Sequence, residues 1–554
     1  MLIHTSRRYA RLHLLAILCA LAITPGGSAL ATVLFIHFKI WPYDLLRASR
    51  YGYVLEAGAH APYSTSPIYT PGQSITVKST FLDLEIETFD RQDRQSWIAG
   101  SLEVVDDRHV LLIEGEGRVF LLDVDALSEQ ALDITPPDNG LAALHAVSDP
   151  GENHVTGRLH RYTDVKQHDG QLFVAHSHFD AERACFTNRL ARTPLEGDIR
   201  NAQITAEDWT VLFETAPCLP FRNNPSRRYR GNEAGGRMAF DQHGQLYLTI
   251  GYFGFDGLEE PDIVQGPDSL YGKVVRIDPA NGDAQVVSTG HRNPQGIAFD
   301  GAGQLWVTEH GPQGGDELNH IVEGSNYGWP LVTYGTNYGE RSWPINRLQG
   351  DHSGFRKPAF AWVPSIAASG LTFADGVHPF WQGDFIVPSL MDRALHRVVV
   401  DGTRVVTLER IPLGERLRAV VIVQGRLVVL CASGNVIRIT LKAPEDTAPA
   451  LVAGDQVEPL VRAALATCLD CHSRDDATRA PSLCAVEGRR VAGSDYAAYS
   501  PALRAAGGVW TRARLDAYLE DTRSVAPDGV MPNQGIADPA LRQAIIDNLG
   551  YFCS

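Results

Sequence analysis

The chain has 554 residues, more than one ordinary core holds, so two or three folded units are expected. Hydrophobic residues make up 44% and charged residues 21%, which excludes a disordered chain, and 51 glycines favour many tight turns between short strands. A net charge of −16 argues against a nucleic-acid partner, whose phosphates would repel this surface.

Residues 1–40 read as a targeting segment. Arg7, Arg8 and Arg11 precede an apolar run from Leu12 to about Phe38, interrupted by Pro25-Gly26-Gly27. The run is long enough to span a bilayer, and basic residues ahead of it keep that end cytoplasmic. The alternative is a cleaved signal peptide, with Leu12–Ile23 as its apolar region and Ala29-Leu30-Ala31 as the cleavage site. The anchor is preferred because apolar character continues through Val33-Leu34-Phe35-Ile36. Ser6-Arg7-Arg8 is a partial twin-arginine match. Each version exports the rest of the chain, to the periplasmic side of a bacterial inner membrane or, after cleavage, to the periplasm or beyond. Residues 41–94 follow as a linker and lead-in.

Residues 95–441 contain a repeat. Ala239-Phe240-Asp241-Gln242-His243-Gly244-Gln245-Leu246-Tyr247-Leu248-Thr249 matches Ala298-Phe299-Asp300-Gly301-Ala302-Gly303-Gln304-Leu305-Trp306-Val307-Thr308. Weaker copies begin at Gly117, Asp169, Gly383 and Gln424. Each is a turn followed by a short apolar strand. Such repeats indicate a β-propeller, whose small sheets bury their faces by radial packing, and six copies predict six blades. Within this region Cys185 and Cys218 are expected to pair in an oxidising compartment, as are Cys484 and Cys553 further on, although spacing alone does not fix connectivity. Cys431, in an apolar run, reads as a buried free thiol.

Residues 442–456 form a Pro-, Ala- and acid-rich linker, and residues 457–554 turn helical. Helices are predicted leading into Cys468, over Thr511–Thr522 and over Pro539–Tyr551. Cys468-Leu469-Asp470-Cys471-His472 is a haem-attachment pattern: two thiols add to the vinyl groups and the adjacent His is forced under the iron. A zinc site would need a second ligand pair at matching spacing, and none follows. The one Met of this region, Met531, stands in a Gly- and Asp-rich loop beside Pro532 and fits a sixth ligand. The segment resembles the class I cytochromes c through Pro481-Ser482-Leu483, Gly488-Arg489-Arg490, Tyr499 to Leu503, and Trp510 to Leu519. The resemblance implies one covalent haem c, axial His472 and Met531, a Pro481 carbonyl that accepts a hydrogen bond from the axial His, and a role in electron transfer.

The propeller region is similar to the soluble sugar dehydrogenases that use pyrroloquinoline quinone, the glucose/sorbosone dehydrogenase group. The motifs are Gly290-His291-Arg292-Asn293-Pro294-Gln295-Gly296, Thr308-Glu309-His310-Gly311-Pro312, Gly315 to Asn319 and Asn326 to Pro330; Asn232 to Arg237 and Tyr271-Gly272-Lys273 fit less sharply. The resemblance implies a tricarboxylate quinone clamped by Arg416 and Arg418, with Ser365 in contact and Trp362 just before it. It also implies calcium at positions resembled by Glu309 and Tyr271, and a base that takes a sugar hydroxyl proton as hydride leaves. Departures are visible. Met391 stands where a cofactor-binding Lys is expected, and an expected Arg falls near Phe255. The expected basic His falls at Asp164, with His160, His176 and His178 close in sequence as substitutes; His176 and His178 alternate on a strand and share one face.

The expected protein is an all-β six-bladed propeller followed by an all-α cytochrome c domain. It would oxidise a sugar-like alcohol or hemiacetal and deliver electrons through the haem to another cytochrome or an oxidase. The alternatives are a non-catalytic carbohydrate- or protein-binding propeller attached to a cytochrome, and a channel holding a metal or another redox cofactor.

Overall fold

The computed structural model describes residues 67–70, 72–79, 82–91, 100–147, 160–221, 233–254, 262–336 and 351–442, a few positions between 461 and 472, and most of 480–549. The targeting segment lies outside the described residues. Among those described, no helix is long and apolar enough to cross a membrane.

Six antiparallel sheets follow one another along the chain, forming a six-bladed β-propeller. Their first strands are Gly100–Val104, Tyr162–His168, Gly235–Phe240, Asn293–Phe299, Thr372–Phe373 and Leu417–Val423. We number the blades one to six in that order. Successive first strands meet around a central axis, as between blades two and three and between three and four. Large apolar side chains fill the wedges between blades. Phe173, Phe186, Met238 and Val275 pack between blades two and three, and Ile386, Leu395, Leu427 and Ile437 between five and six. Each such burial contributes about 1.5–3 kcal/mol.

Five of the six sequence repeats fall where predicted, at the turn between the first and second strands of a blade. Gly244 and Gly303 supply the positive φ those turns need, at 76° and 75°. The copy at Gly117 sits one hairpin later, between His109–Glu114 and Val119–Asp123. Blade one instead turns through Asp106, whose carboxylate accepts from the Arg108 and His109 N–H groups.

The expected lead-in at 41–94 contributes to the sheet. Ile75–Lys78 and Asp83–Thr88 are the two outer strands of blade six, the second pairing with Val436–Lys442. Without them the ring would end on a bare edge strand. The closing segment is also held by Tyr69, whose hydroxyl donates to the Glu415 carboxylate and lies 3.4 Å from Cys431 Sγ. Cys431 is a buried free thiol, as expected, and Cys185 is disulfide-bonded to Cys218. Cys484 is disulfide-bonded; Cys553 lies outside the described residues.

The axis is occupied by Arg237 of blade three. Its Nε donates to Gln295 O at 3.2 Å. Its Nη2 reaches Gly100 O and Ser369 O at 3.3 Å and Arg418 O at 3.4 Å. Asp164 Oδ1 of blade two is 3.9 Å from Nη1. One buried guanidinium thus touches all six blades.

The tail is helical. Arg512–Glu520 starts at the Thr511 N-cap and Pro539–Asp547 at the Asp538 N-cap, close to prediction, with Pro501–Ala505 as an additional short helix capped by Ser500. Trp510, Leu503, Leu515 and Ile546 form its core.

Two outcomes follow. Arg237→Met leaves four inner-strand carbonyls and Asp164 without their buried partner, and is expected to lower unfolding stability by about 3–5 kcal/mol in denaturant titration. Burial raises Glu415 to about 7 from 4.5. A carboxyl raised on folding contributes fully below its unfolded pKa and loses that contribution as pH rises through 7. Stability is therefore expected to fall between pH 4.5 and 7 by up to about 3 kcal/mol from this group, and Glu415→Gln to flatten that slope.

Candidate functional site

All six first strands begin on one face of the ring, which we call the mouth, and end at the first turns on the opposite, turn face. Strand starts carry the charge. Arg161 precedes blade two, Glu233 blade three, Arg292 blade four, and Arg416 and Arg418 open blade six. Arg418 is desolvated and lies in the field of Arg161, Arg237 and Arg416, so its ionisation is pushed well below the usual range. Its Nε is buried without a hydrogen-bond partner among the described residues. An orphaned donor among like charges fits a multiply charged anion.

Beside this cluster, Arg292 Nη2 pairs with Glu233 Oε1 at 3.0 Å and donates to Tyr252 Oη at 2.9 Å, while its Nη1 donates to Gly311 O at 2.9 Å. The guanidinium lies 4.9 Å from the Tyr252 ring centre and 5.2 Å from that of Trp329. Glu233 holds a left-handed backbone, φ 61°, unusual for a residue with a side chain and frequent at functional positions. His310 is buried nearby, and desolvation lowers its pKa in the field of Asp316, Arg292, Arg418 and Glu233. Beyond Arg237, toward the turn face, the channel widens into a cavity of about 330 Å3 lined by Glu103, Asp164, Lys166 and Gln295 among others.

The candidate bases lie elsewhere than predicted. A bulge between Tyr162 and Asp164 turns Asp164 to the axis, where Met238 N donates to Oδ2 at 2.7 Å and Ser101 Oγ donates to Oδ1. Both its oxygens are engaged below the mouth. His160 Nε2 is 2.7 Å from Asn139 O, and burial lowers this His to about 4. His176 packs on the Tyr162 and His178 rings, and burial lowers it to about 3. The face shared by His176 and His178 is interior, and none of these histidines lines the turn-face cavity. Glu233, missed in the sequence, had one signal: it immediately precedes Ala234-Gly235-Gly236-Arg237, where a blade begins.

Of the cofactor positions, Arg416 and Arg418 lie close enough for each to sit in the other's field. Ser365 is half-buried in the strand-end loop held by Asp316, which accepts from Ile366 N at 2.9 Å. Trp362, by contrast, is part of the core behind that loop, packed edge-on against Phe360. Met391 is 60% exposed at the mouth-side turn of blade five, and residue 255 lies outside the described residues.

Glu309 and Tyr271 do not come together. His291 Nδ1 and Asn319 Nδ2 are each 2.8 Å from Glu309 Oε1, and Arg292 N donates to Oε2 at 2.6 Å. The Tyr271 hydroxyl is in the core, 3.0 Å from Thr215 Oγ1. With both Glu309 oxygens taken by nitrogen groups, this pair does not fit calcium. Among the described residues, no group of three or more His, Cys, Asp or Glu is placed to hold a metal ion.

In the tail, His472 N donates to Cys468 O at 2.8 Å. His472 Nδ1 is 2.6 Å from Pro481 O, the pairing expected for an axial ligand, which leaves Nε2 for the iron. Arg489 braces the Pro481 loop by donating to Ser482 O at 2.6 Å. Cys471 and Met531 lie outside the described residues.

Fold and mouth together define a six-bladed propeller with arginines gathered at its strand starts. Residues 98–438, more than half of the chain, match the Glucose / Sorbosone dehydrogenase family, and the chain belongs to it. Similar proteins include "Aldose sugar dehydrogenase YliI" of Escherichia coli, 35% identical over 231 residues, which cover 38% of this chain and 58% of that protein. The apo-form structure of the soluble aldose sugar dehydrogenase from Escherichia coli superposes with a TM-score of 0.52 at 26% identity, covering 64% of this chain and 99% of that one. A stretch of 96 residues is 30% identical to "Cytochrome c-550" of Nitrobacter winogradskyi, covering 17% of this chain and 84% of that protein.

Proposed function

We propose that the chain is an exported quinohaemoprotein that oxidises a sugar or related hemiacetal at the propeller mouth and passes the electrons to a c-type haem in its tail. The carrying observation is the convergence of Arg161, Arg237, Arg416 and Arg418, with Arg418 Nε buried and unpartnered. That arrangement fits the carboxylates of pyrroloquinoline quinone, as the family resemblance implies. The quinone, when bound, supplies a two-electron hydride acceptor.

The protein's own residues provide binding and proton handling. Arg416 and Arg418 neutralise the anion, and Ser365 adds a hydroxyl at the rim. Glu233 takes the substrate hydroxyl proton, and Arg292 fixes its carboxylate in place. The Asp164 oxygens are already committed inside the axis, so Asp164 serves the scaffold. In the tail, Cys468 and Cys471 would hold the haem covalently, with His472 and Met531 as axial ligands; the Pro481 carbonyl sets the His472 ring. The final acceptor is another cytochrome or an oxidase. Export rests on residues 1–40 and fits the Cys185–Cys218 disulfide.

Arg418→Ala is expected to weaken pyrroloquinoline quinone binding about tenfold to a hundredfold by titration calorimetry. Glu233→Gln is expected to retain the cofactor and lower kcat about a hundredfold or more with an aldose. Protein matured in a cytochrome-competent host is expected to gain the mass of one haem and show a sharp α-band on reduction. A preparation supplied with pyrroloquinoline quinone and calcium that retains no cofactor, and whose haem stays oxidised across a panel of aldoses, would return the propeller to the role of a binding module.

A further inference from the structure

The loop between the first two strands of blade five carries Phe380, which packs on two cores at once. One is the wedge between blades five and six, with Leu395 and Ile411; the other is the tail's, with Leu465, Ile545 and Cys468. On the same blade, Asp401 at the hairpin between the third and fourth strands is ion-paired with Arg523 of the tail.

Both contacts are on the turn face. The loop that carries Phe380 packs against the first turn of blade six: a Cβ on Gly425 would stand 3.0 Å from Gly376 O and 3.2 Å from Val377 O. Arg416 and Arg418 are at the other end of that inner strand, Leu417–Val423. Its seven residues span about 23 Å at roughly 3.3 Å each. The attachment thiol Cys468 therefore lies in the core that meets the propeller on the side away from the arginines.

We infer that Phe380 and Asp401 form a docking site that parks the cytochrome domain away from the mouth, so that electrons reach the haem only when this contact opens. The inference rests on the mouth and tail assignments above. Oxidation of a hemiacetal to a lactone releases two electrons and two protons. A haem held by Cys468 and His472 would accept these electrons one at a time, as Fe(III) to Fe(II). An external one-electron acceptor reoxidises the haem before the second electron arrives, and the protons pass to solvent. The ion pair joins half-exposed side chains, 55% and 45% accessible, so the contact is weak enough to break and re-form.

The test uses full-length haem-containing protein supplied with pyrroloquinoline quinone. Asp401→Arg removes the ion pair, and the exchange Asp401→Arg with Arg523→Asp restores it. By small-angle X-ray scattering, the radius of gyration is expected to rise in Asp401→Arg and return in the exchange variant. Haem reduction after aldose addition, followed by stopped flow, is expected to accelerate about threefold in Asp401→Arg, the scale of one exposed ion pair, independently of protein concentration. Turnover with a small dye acceptor at the mouth is expected to be unchanged. An unchanged radius of gyration would remove the docking site. Slower haem reduction with intact dye turnover would make the docked contact the productive route and overturn the inference. Absent dye turnover in the parent would count against the mouth assignment, while the scattering comparison would still decide docking.

Discussion

The propeller depends on one guanidinium at its axis. Arg237 starts in blade three and reaches carbonyls of blades one, four, five and six, with the Asp164 carboxylate of blade two opposite. Six inner strands bring carbonyl dipoles to a narrow channel, and a single planar, multi-donor cation answers several of them together. Burial of that charge is tolerable because its donors are so widely used. The same choice fixes Asp164, whose second oxygen accepts from Met238 N and so ties blade two to blade three.

This pin also divides the channel. Toward the mouth Arg161, Arg416 and Arg418 gather, and Arg418 keeps a buried donor unanswered among the described residues. Toward the turn face, Lys166 is answered by Glu103 at 2.5 Å, and the cavity there is internally balanced. The two ends of the ring therefore differ in how their charges are answered. At the mouth end Glu233 is held by Arg292 and carried on a left-handed backbone ahead of its strand. The tail is positioned on the other face, through Phe380 and Arg523, so it is separated from the mouth arginines by the thickness of the ring.

Much of this was legible in the residues. The AFDxxGQL copies mark first turns because glycine at positive φ and a following apolar strand are local requirements. The helix starts at Thr511 and Asp538 were readable for the same reason, since a cap acts within one turn. What failed was any inference that needed to know which way a strand side chain faces after a bulge. The shift between Tyr162 and Asp164 sent Asp164 to the axis, and burial placed His160 and His176 inside the packing; no period-two pattern contains that information. Trp362 was misplaced likewise, as a residue adjacent in sequence to a loop but behind it in space.

The sequence by itself determined the repeat number, the blade punctuation and the Cys468-to-His472 spacing, because each is set by short-range geometry; the expected Cys185–Cys218 pairing was settled only by the fold. Only the tertiary structure decided that the N-terminal strands close blade six, that Arg237 joins all six blades, that Glu233 rather than Asp164 faces the mouth, and that Glu309 is saturated by nitrogen donors. Those outcomes depend on residues tens to hundreds of positions apart sharing one desolvated space, where each polar group must find whichever partner the fold brings to it.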